Sequence, residues 1–415
     1  MKKLLAACIA LQAMNPAALA QAQDTWGDTL ANAVKEGKAS LDFRYRYEYV
    51  DQDPTDGKPD FKDDAEASLM RSRLTLESGK IGGFHALMQF DNVTSIGAND
   101  YNSTENGKTE YPVIADPEGS EVNQIWLSYH TEGLTTHAGR QRINLGDQRF
   151  VGGVAWRQNE QTYDGGRIQW EPMDKLKLDV SYVYNINRIF GPDDGANPSD
   201  LEGDNFFVRS DYQLFENHKL SAFGYFLDID DQGKYAAGKT VNNSSDTYGV
   251  EYAGKFDRFS VDATWATQSE AGDSELNYDA DYYKIEVGAR FKPVTIKAGY
   301  EVLEGDDGVG FATPLATLHK FQGWADKFLT TPGDGVEDAY VSVAGKLGPV
   351  KLAAVYHDFQ AESSSTDFGT ELDLVATWPV NKQFTVQAKY ASFDTDDSAR
   401  YGDTDKAWLT LQLKL

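Results

Sequence analysis

The chain has 415 residues, 39 Lys+Arg against 65 Asp+Glu, a formal charge of −26 and a mean hydropathy of −0.53. Such acidity argues against a nucleic-acid partner, which needs basic surface. Past the N-terminus no apolar run approaches the roughly 18 residues of a membrane helix. Aromatic residues nonetheless reach 12%, which is high for so polar a chain. A transmembrane β-barrel, in which only every second strand residue meets lipid, reconciles the two.

Residues 1–20 read as a secretory signal peptide. Lys2 and Lys3 precede the apolar stretch Leu4–Met14, and Ala18-Leu19-Ala20 offers a small-x-small cleavage site, with a second option after Ala22. The single cysteine, Cys8, lies inside this segment. The mature chain is therefore expected to have no disulfide, no thiol chemistry and no cysteine-held metal or cofactor. Residues 24–37 predict a short periplasmic helix: Trp26, Leu30 and Val34 are spaced i, i+4 and i+8, Asp24 or Thr25 caps the start, and Gly37 ends it.

From residue 39 to 415 the period changes to two. Leu41, Phe43, Tyr45, Tyr47 and Tyr49 alternate with Asp42, Arg44, Arg46 and Glu48. A strand sends these sets to opposite faces, one suited to lipid and one to water. The pattern recurs over 176–187, 283–292, 384–390 and the last residues, where Leu409, Leu411, Leu413 and Leu415 share a face. Eight short turns, such as Glu132-Gly133 and Gly348-Pro349, alternate with longer polar segments such as 51–66, 94–120, 146–161 and 305–337. Short connections at one end and long ones at the other are an outer-membrane pattern. Nine hairpins give an all-β antiparallel barrel of about 18 strands, 16 or 20 if one hairpin is miscounted. A propeller would show a 40–50-residue repeat, and the chain has none.

Strand parity places Arg44, Arg46, Arg71, Arg73, Arg140, Arg142, Arg167 and Arg209 on the inner face, with Asp42, Glu48, Glu77, Asp91, Asp179, Asp211, Glu251 and Asp262. Two readings follow. The arginines form a basic wall that guides acidic solutes, since guanidinium matches carboxylate bidentately, or arginines and acids pair off to satisfy a polar lumen. The acid-rich stretch 51–66 reads as a solvated external loop. The stretch 228–239 fails the calcium-loop pattern, because Gln232 and Lys239 stand at ligand positions. His357-Asp358 is a weak hydrolase signal, no P-loop, HExxH or GxSxG is present, and no enzyme activity or metal site is expected.

Two stretches are more specific. Gly139-Arg140-Gln141-Arg142-Ile143-Asn144-Leu145-Gly146-Asp147-Gln148-Arg149-Phe150-Val151-Gly152 runs on to Trp156-Arg157-Gln158 and Thr162-Tyr163-Asp164-Gly165, and 311–319 is followed by Gly323-Trp324-Ala325-Asp326. Both resemble the alginate-export family of outer-membrane channels. The resemblance implies a passive channel for an anionic polysaccharide or its oligosaccharides, in contact with outer-membrane lipid and lipopolysaccharide and inserted by the barrel-assembly machinery. It nominates Asp147, Arg149, Trp156, Arg157 and Trp324 as constriction or loop residues. The loop Gly146–Gly153 either folds inward or packs on the rim, and the Trp324 loop is either an inward lid or an external cap. A general diffusion porin and a structural or adhesive barrel are the alternative functions.

Overall fold

The computed structural model describes residues 27–230 and 244–415; the signal peptide and Trp26 lie outside the described residues. Strands follow in chain order: β1 (Lys38–Gln52), β2 (Ala65–Glu77), β3 (Phe84–Asp100), β4 (Gly119–Thr131), β5 (Leu134–Gln141), β6 (Thr162–Met173), β7 (Leu176–Asn187), β8 (Asp200–Phe215), β9 (His218–Leu227) and β10 (Ser245–Phe256). The second half holds β11 (Phe259–Glu270), β12 (Asp279–Phe291), β13 (Val294–Leu303), a two-rung hairpin β14 (Gly305–Asp306) and β15 (Val309–Gly310), then β16 (Val336–Leu347), β17 (Val350–Gln360), β18 (Asp367–Pro379), β19 (Phe384–Thr395) and β20 (Thr404–Lys414). Apart from the small hairpin, each strand pairs antiparallel with its chain neighbours in one 18-stranded sheet. β20 closes it against β1, with Tyr45 opposite Leu411 and Tyr47 opposite Leu409. Closure leaves no edge, the only way a sheet can stand in lipid.

The period-two pattern does what it predicts. Along β1, Arg44, Arg46 and Glu48 are buried inside. The outer wall carries Leu127, Ile168, Val250, Ile285, Val341 and Leu409, all exposed. Exposed aromatics flank this band: Phe84, Tyr129, Phe256, Phe259 and Trp378 at the short-turn end, and Tyr182, Tyr248, Trp265 and Tyr283 nearer the long loops. Such girdles suit the two membrane interfaces, with the hydroxyls of Tyr182 and Tyr283 turned to Asp204 and Asp281.

Two local departures matter. At Tyr184 the alternation slips: Asp164 faces Asn185 while Gly165 faces Val183, so Ile186 ends inside, fully buried, instead of on the outer face. The N-terminal helix spans 27–35, but its expected apolar stripe does not pack inward. Leu30 and Val34 are exposed, Ala33 is buried, and the Ala33 carbonyl accepts from the Gly79 N–H at 2.7 Å.

Candidate functional site

The inside of the long-loop half is filled by two loops. The third external loop, 142–161, and the seventh, 304–335, turn into the barrel and pair with each other. Val151 bridges Leu315, the Gly152 N–H donates to the Leu315 carbonyl at 2.9 Å, and the Thr317 N–H donates to the Gln148 carbonyl at 3.0 Å. Gly146 bends the loop at φ +56, and a side chain at Gly152 would collide with Thr317. Ile143, Val151, Phe311 and Leu315 are buried with wall residues Phe207, Tyr225 and Tyr282, and the Phe150 ring meets those of Phe223, Tyr282 and Phe311. Each such fully buried side chain stabilises by about 1.5–3 kcal/mol. Both loops are therefore inward, the alternative the sequence had left open.

The arginines hold the third loop there. Arg44 and Arg71 face each other across β1 and β2. Arg44 donates to the Gln158 side chain at 2.8 Å and to the carbonyls of Ala155 and Arg157. Arg73 clasps Asp91 on β3 and reaches Glu160 at 2.7 Å. Arg142, already past the end of β5, donates to the same Glu160 at 2.8 Å, and Arg71 lies 3.8 Å from it and 3.4 Å from Asp42. Burial pushes the Glu160 carboxyl up, but Arg73, Arg142 and Arg71 outweigh it and hold it down at about 2. Arg46 lies 4.1 Å over the Trp156 ring and 3.9 Å from Asp116. Arg157 reaches back to Glu48 at 3.3 Å. Arg149 donates to Glu301 at 2.7 Å, Thr313 at 3.0 Å and Gln322 at 3.1 Å.

The seventh loop is pinned around Asp326. It meets Arg157 at 3.3 Å, Lys406 of β20 at 3.0 Å and His319 Nδ1 at 2.8 Å. Burial and Lys389 keep His319 neutral, well below the ordinary imidazole value. The neutral ring donates from Nδ1 to Asp326 and accepts at Nε2 from Lys389 Nζ at 2.7 Å. The ring also stacks on Trp156 at 4.0 Å. Lys389 stands 3.6 Å from the Trp324 ring centroid and 4.0 Å from that of Trp156. Trp156 and Trp324 thus join the two loops over one wall lysine.

The remaining predicted residues stand apart from this node. Arg167 pairs with Asp179 at 2.6 Å, and Arg209 with Asp211 and Glu251 at 3.0 Å each. Arg140 makes a two-pronged pair with Asp164 at 2.8 and 2.9 Å. In register it pairs with Ile125, and Ala138 two residues earlier pairs with Leu127; both partners are exposed on the outer wall, so the alternation runs unbroken to Arg140. The inner-face assignment of Arg140 is thereby corrected: it shares the outer parity of Ala138. Asp147 sits at the tip of the third loop with Lys284 of β12 at 2.8 Å from its carboxylate. Burial pushes its carboxyl up, but Lys284 and Lys320 hold it below the ordinary value. His357 bonds Asp338 at 2.9 Å rather than its chain neighbour Asp358. Sequence reasoning missed Glu160, Asp326, His319, Lys389 and the buried Asp116. The available signals were the acid Glu160 within the otherwise uncharged run Gln158–Gln161, and the family-like stretches that contain His319 and Asp326.

The family model described as alginate export matches residues 38–317. Among solved structures, Pseudomonas aeruginosa OccK3 (OpdO) is similar at 15% identity and a TM-score of 0.67, covering 94% of this chain and 98% of that one. Acinetobacter baumannii OccAB2 is similar at 14% identity and a TM-score of 0.71, covering 92% and 99%. Pseudomonas aeruginosa OpdQ is similar at 15% identity and a TM-score of 0.67, covering 93% and 99%. These identities establish a shared fold. No curated protein matches. The closed 18-stranded barrel, its apolar outer belt and the family match place the protein in the bacterial outer membrane.

Proposed function

The chain belongs to the alginate export family, and on that footing we propose that it is a passive, non-enzymatic channel for small or oligomeric hydrophilic solutes, acidic saccharides of the uronate kind among them. The observation that carries the channel reading is a wet, charged interior at the level of the inward loops. Lys320 is exposed there, and the side chains of Asp147, Lys297 and Arg142 are 41%, 40% and 29% exposed. A passive channel has no built-in direction, so net flux follows the solute gradient. The acidic outer loops face lipopolysaccharide, and insertion calls on the barrel-assembly machinery.

A preference for acidic solutes is supported by the family's own description and by the lysines of the β12–β13 wall. A second reading, a general diffusion porin, is favoured by one observation: the inner-face arginines already have internal acceptors. Planar-bilayer recording of the refolded protein separates the two. Anion selectivity in a KCl gradient, with block by an oligouronate and none by a neutral oligosaccharide of equal length, is the expected result. Cation preference without discrimination between the sugars leaves the general porin, and no conductance at all refutes the channel.

A further inference from the structure

Resting on the acidic-solute reading, we infer that Asp147 is a resident counter-ion: its carboxylate occupies, beside Lys284 and Lys320, the seat that a passing solute carboxylate takes. The interior contains many cation–carboxylate pairs, and their surroundings decide which can exchange. Glu160 and Glu301 are buried and shared among several donors. Glu286 is held by Lys297 at 2.6 Å and by the Tyr340 hydroxyl at 2.9 Å. Asp211 accepts from Arg209 and Ser221. Asp147 differs on three counts. It lies on a loop tip, its side chain is 41% exposed, and among the described residues Lys284 is the one side chain that donates to its carboxylate, at 2.8 Å, beside the Arg149 backbone N–H at 3.1 Å.

The cations around it are suited to a second carboxylate. The Lys320 ammonium is spent on the Asp147 backbone carbonyl, at 2.6 Å, and its side chain is exposed. The Phe321 ring gathers Lys284 and Lys320 at 5.7 and 5.4 Å, with Arg149 behind it at 4.8 Å. An ammonium is a point charge with freely turning donors, so it trades one carboxylate for another without reorienting a fork. The pair is open to water on the Asp147 side alone, with Lys284 13% exposed, and a solute carboxylate that displaces Asp147 repeats its contact with the ammonium, which makes the trade nearly neutral. Glu286 and Asp262 on the same wall keep the local charge near balance, so the seat passes single carboxylates along instead of trapping a polyanion.

The test is current block of the full-length channel in planar bilayers by a monouronate and, separately, by the neutral hexose, in wild type and in Asp147→Asn, Lys284→Gln and Lys320→Gln. With its resident competitor removed, Asp147→Asn should lower the half-blocking monouronate concentration by about two- to fivefold and leave hexose unchanged. Lys284→Gln and Lys320→Gln should each raise it. An Asp147→Asn channel that shifts monouronate and hexose alike, or neither, overturns the inference. Equal block of wild type by both sugars instead removes the acidic-solute reading; a uronate-specific block that appears in Asp147→Asn would still sustain the seat, and its absence there would end it. If Asp147→Asn does not assemble, as judged by heat-modifiable migration, Asp147→Ser carries the same comparison.

Discussion

Glu160→Gln tests whether the arginines anchor the third loop. The substitution keeps size and shape and removes the charge. In the native protein that carboxylate is buried, accepts from Arg73 at 2.7 Å and Arg142 at 2.8 Å, and lies 3.8 Å from Arg71. A carboxyl held from its ordinary value down to about 2 corresponds to about 3 kcal/mol of ion-pair stabilisation. Mutational experience with one member of a buried pair gives about 3–5 kcal/mol. The barrel wall does not depend on this pair, because its ladders run strand to strand. The loss therefore falls on the docked loop, and about 3 kcal/mol is a factor of about a hundred in its docked-to-undocked ratio. Single-channel recording should show larger or noisier open-state current than wild type, while the protein keeps its heat-modifiable electrophoretic shift. A folded Glu160→Gln barrel with wild-type conductance and noise would refute the clamp.

Asp326→Asn should release the seventh loop, because Arg157, Lys406 and His319 lose their common carboxylate. The Glu160→Gln/Asp326→Asn pair should raise conductance by less than the two single effects combined, since the loops share one interface; strict additivity in bilayer recordings would contradict that coupling. Acid should mimic Glu160→Gln. With its docked-state pKa depressed to about 2, Glu160 contributes fully above its ordinary value, and the contribution is lost as pH falls toward 2. Current noise should be flat from about pH 8 to 5 and rise below about pH 4. The rise should be smaller in Glu160→Gln, and identical profiles would count against it. On the wall, Gly165→Val should prevent assembly, because a Cβ there overlaps the Tyr182 carbonyl, whereas Gly166→Ala should be tolerated, its nearest neighbour being the His137 carbonyl at 3.9 Å. Heat-modifiable migration scores both.

The wall was legible because lipid on one side and water on the other impose a strict period of two. Arg44, Arg46 and Glu48 could be assigned to one face from β1 alone, and the short-turn and long-loop rhythm counted the strands. Where the backbone breaks the period, the reading failed. The extra residue at Tyr184 turns Ile186 inward. The interior was not legible for a different reason. Parity tells which face a residue occupies and nothing of what meets it there. Glu160 and Arg73 are 87 positions apart, and Arg157 and Asp326 are 169 apart. Loops carry no period, so nothing in the chain announces that 142–161 returns to the wall.

That division also explains the energetic construction. A closed sheet has its backbone satisfied strand to strand, so the wall tolerates disturbance inside it. The loops have no such ladder over most of their length and depend on side chains. Arginine suits the buried half of that task, because its fixed fork spans several oxygen acceptors together, as Arg44 does on the Gln158 amide and the carbonyls of Ala155 and Arg157. Lysine serves both settings: Lys406 and Lys389 stand at the buried Asp326 node, while Lys297 and Lys320 stand where water reaches. Burial of the cation therefore divides the interior by role. Buried guanidiniums, with Lys406 and Lys389, fix the shape of the constriction, and the ammoniums at its wet edge stand where they meet what passes. On this argument, reversing a buried arginine should change pore size before it changes selectivity, while reversing Lys284 or Lys320 should change selectivity at nearly constant conductance.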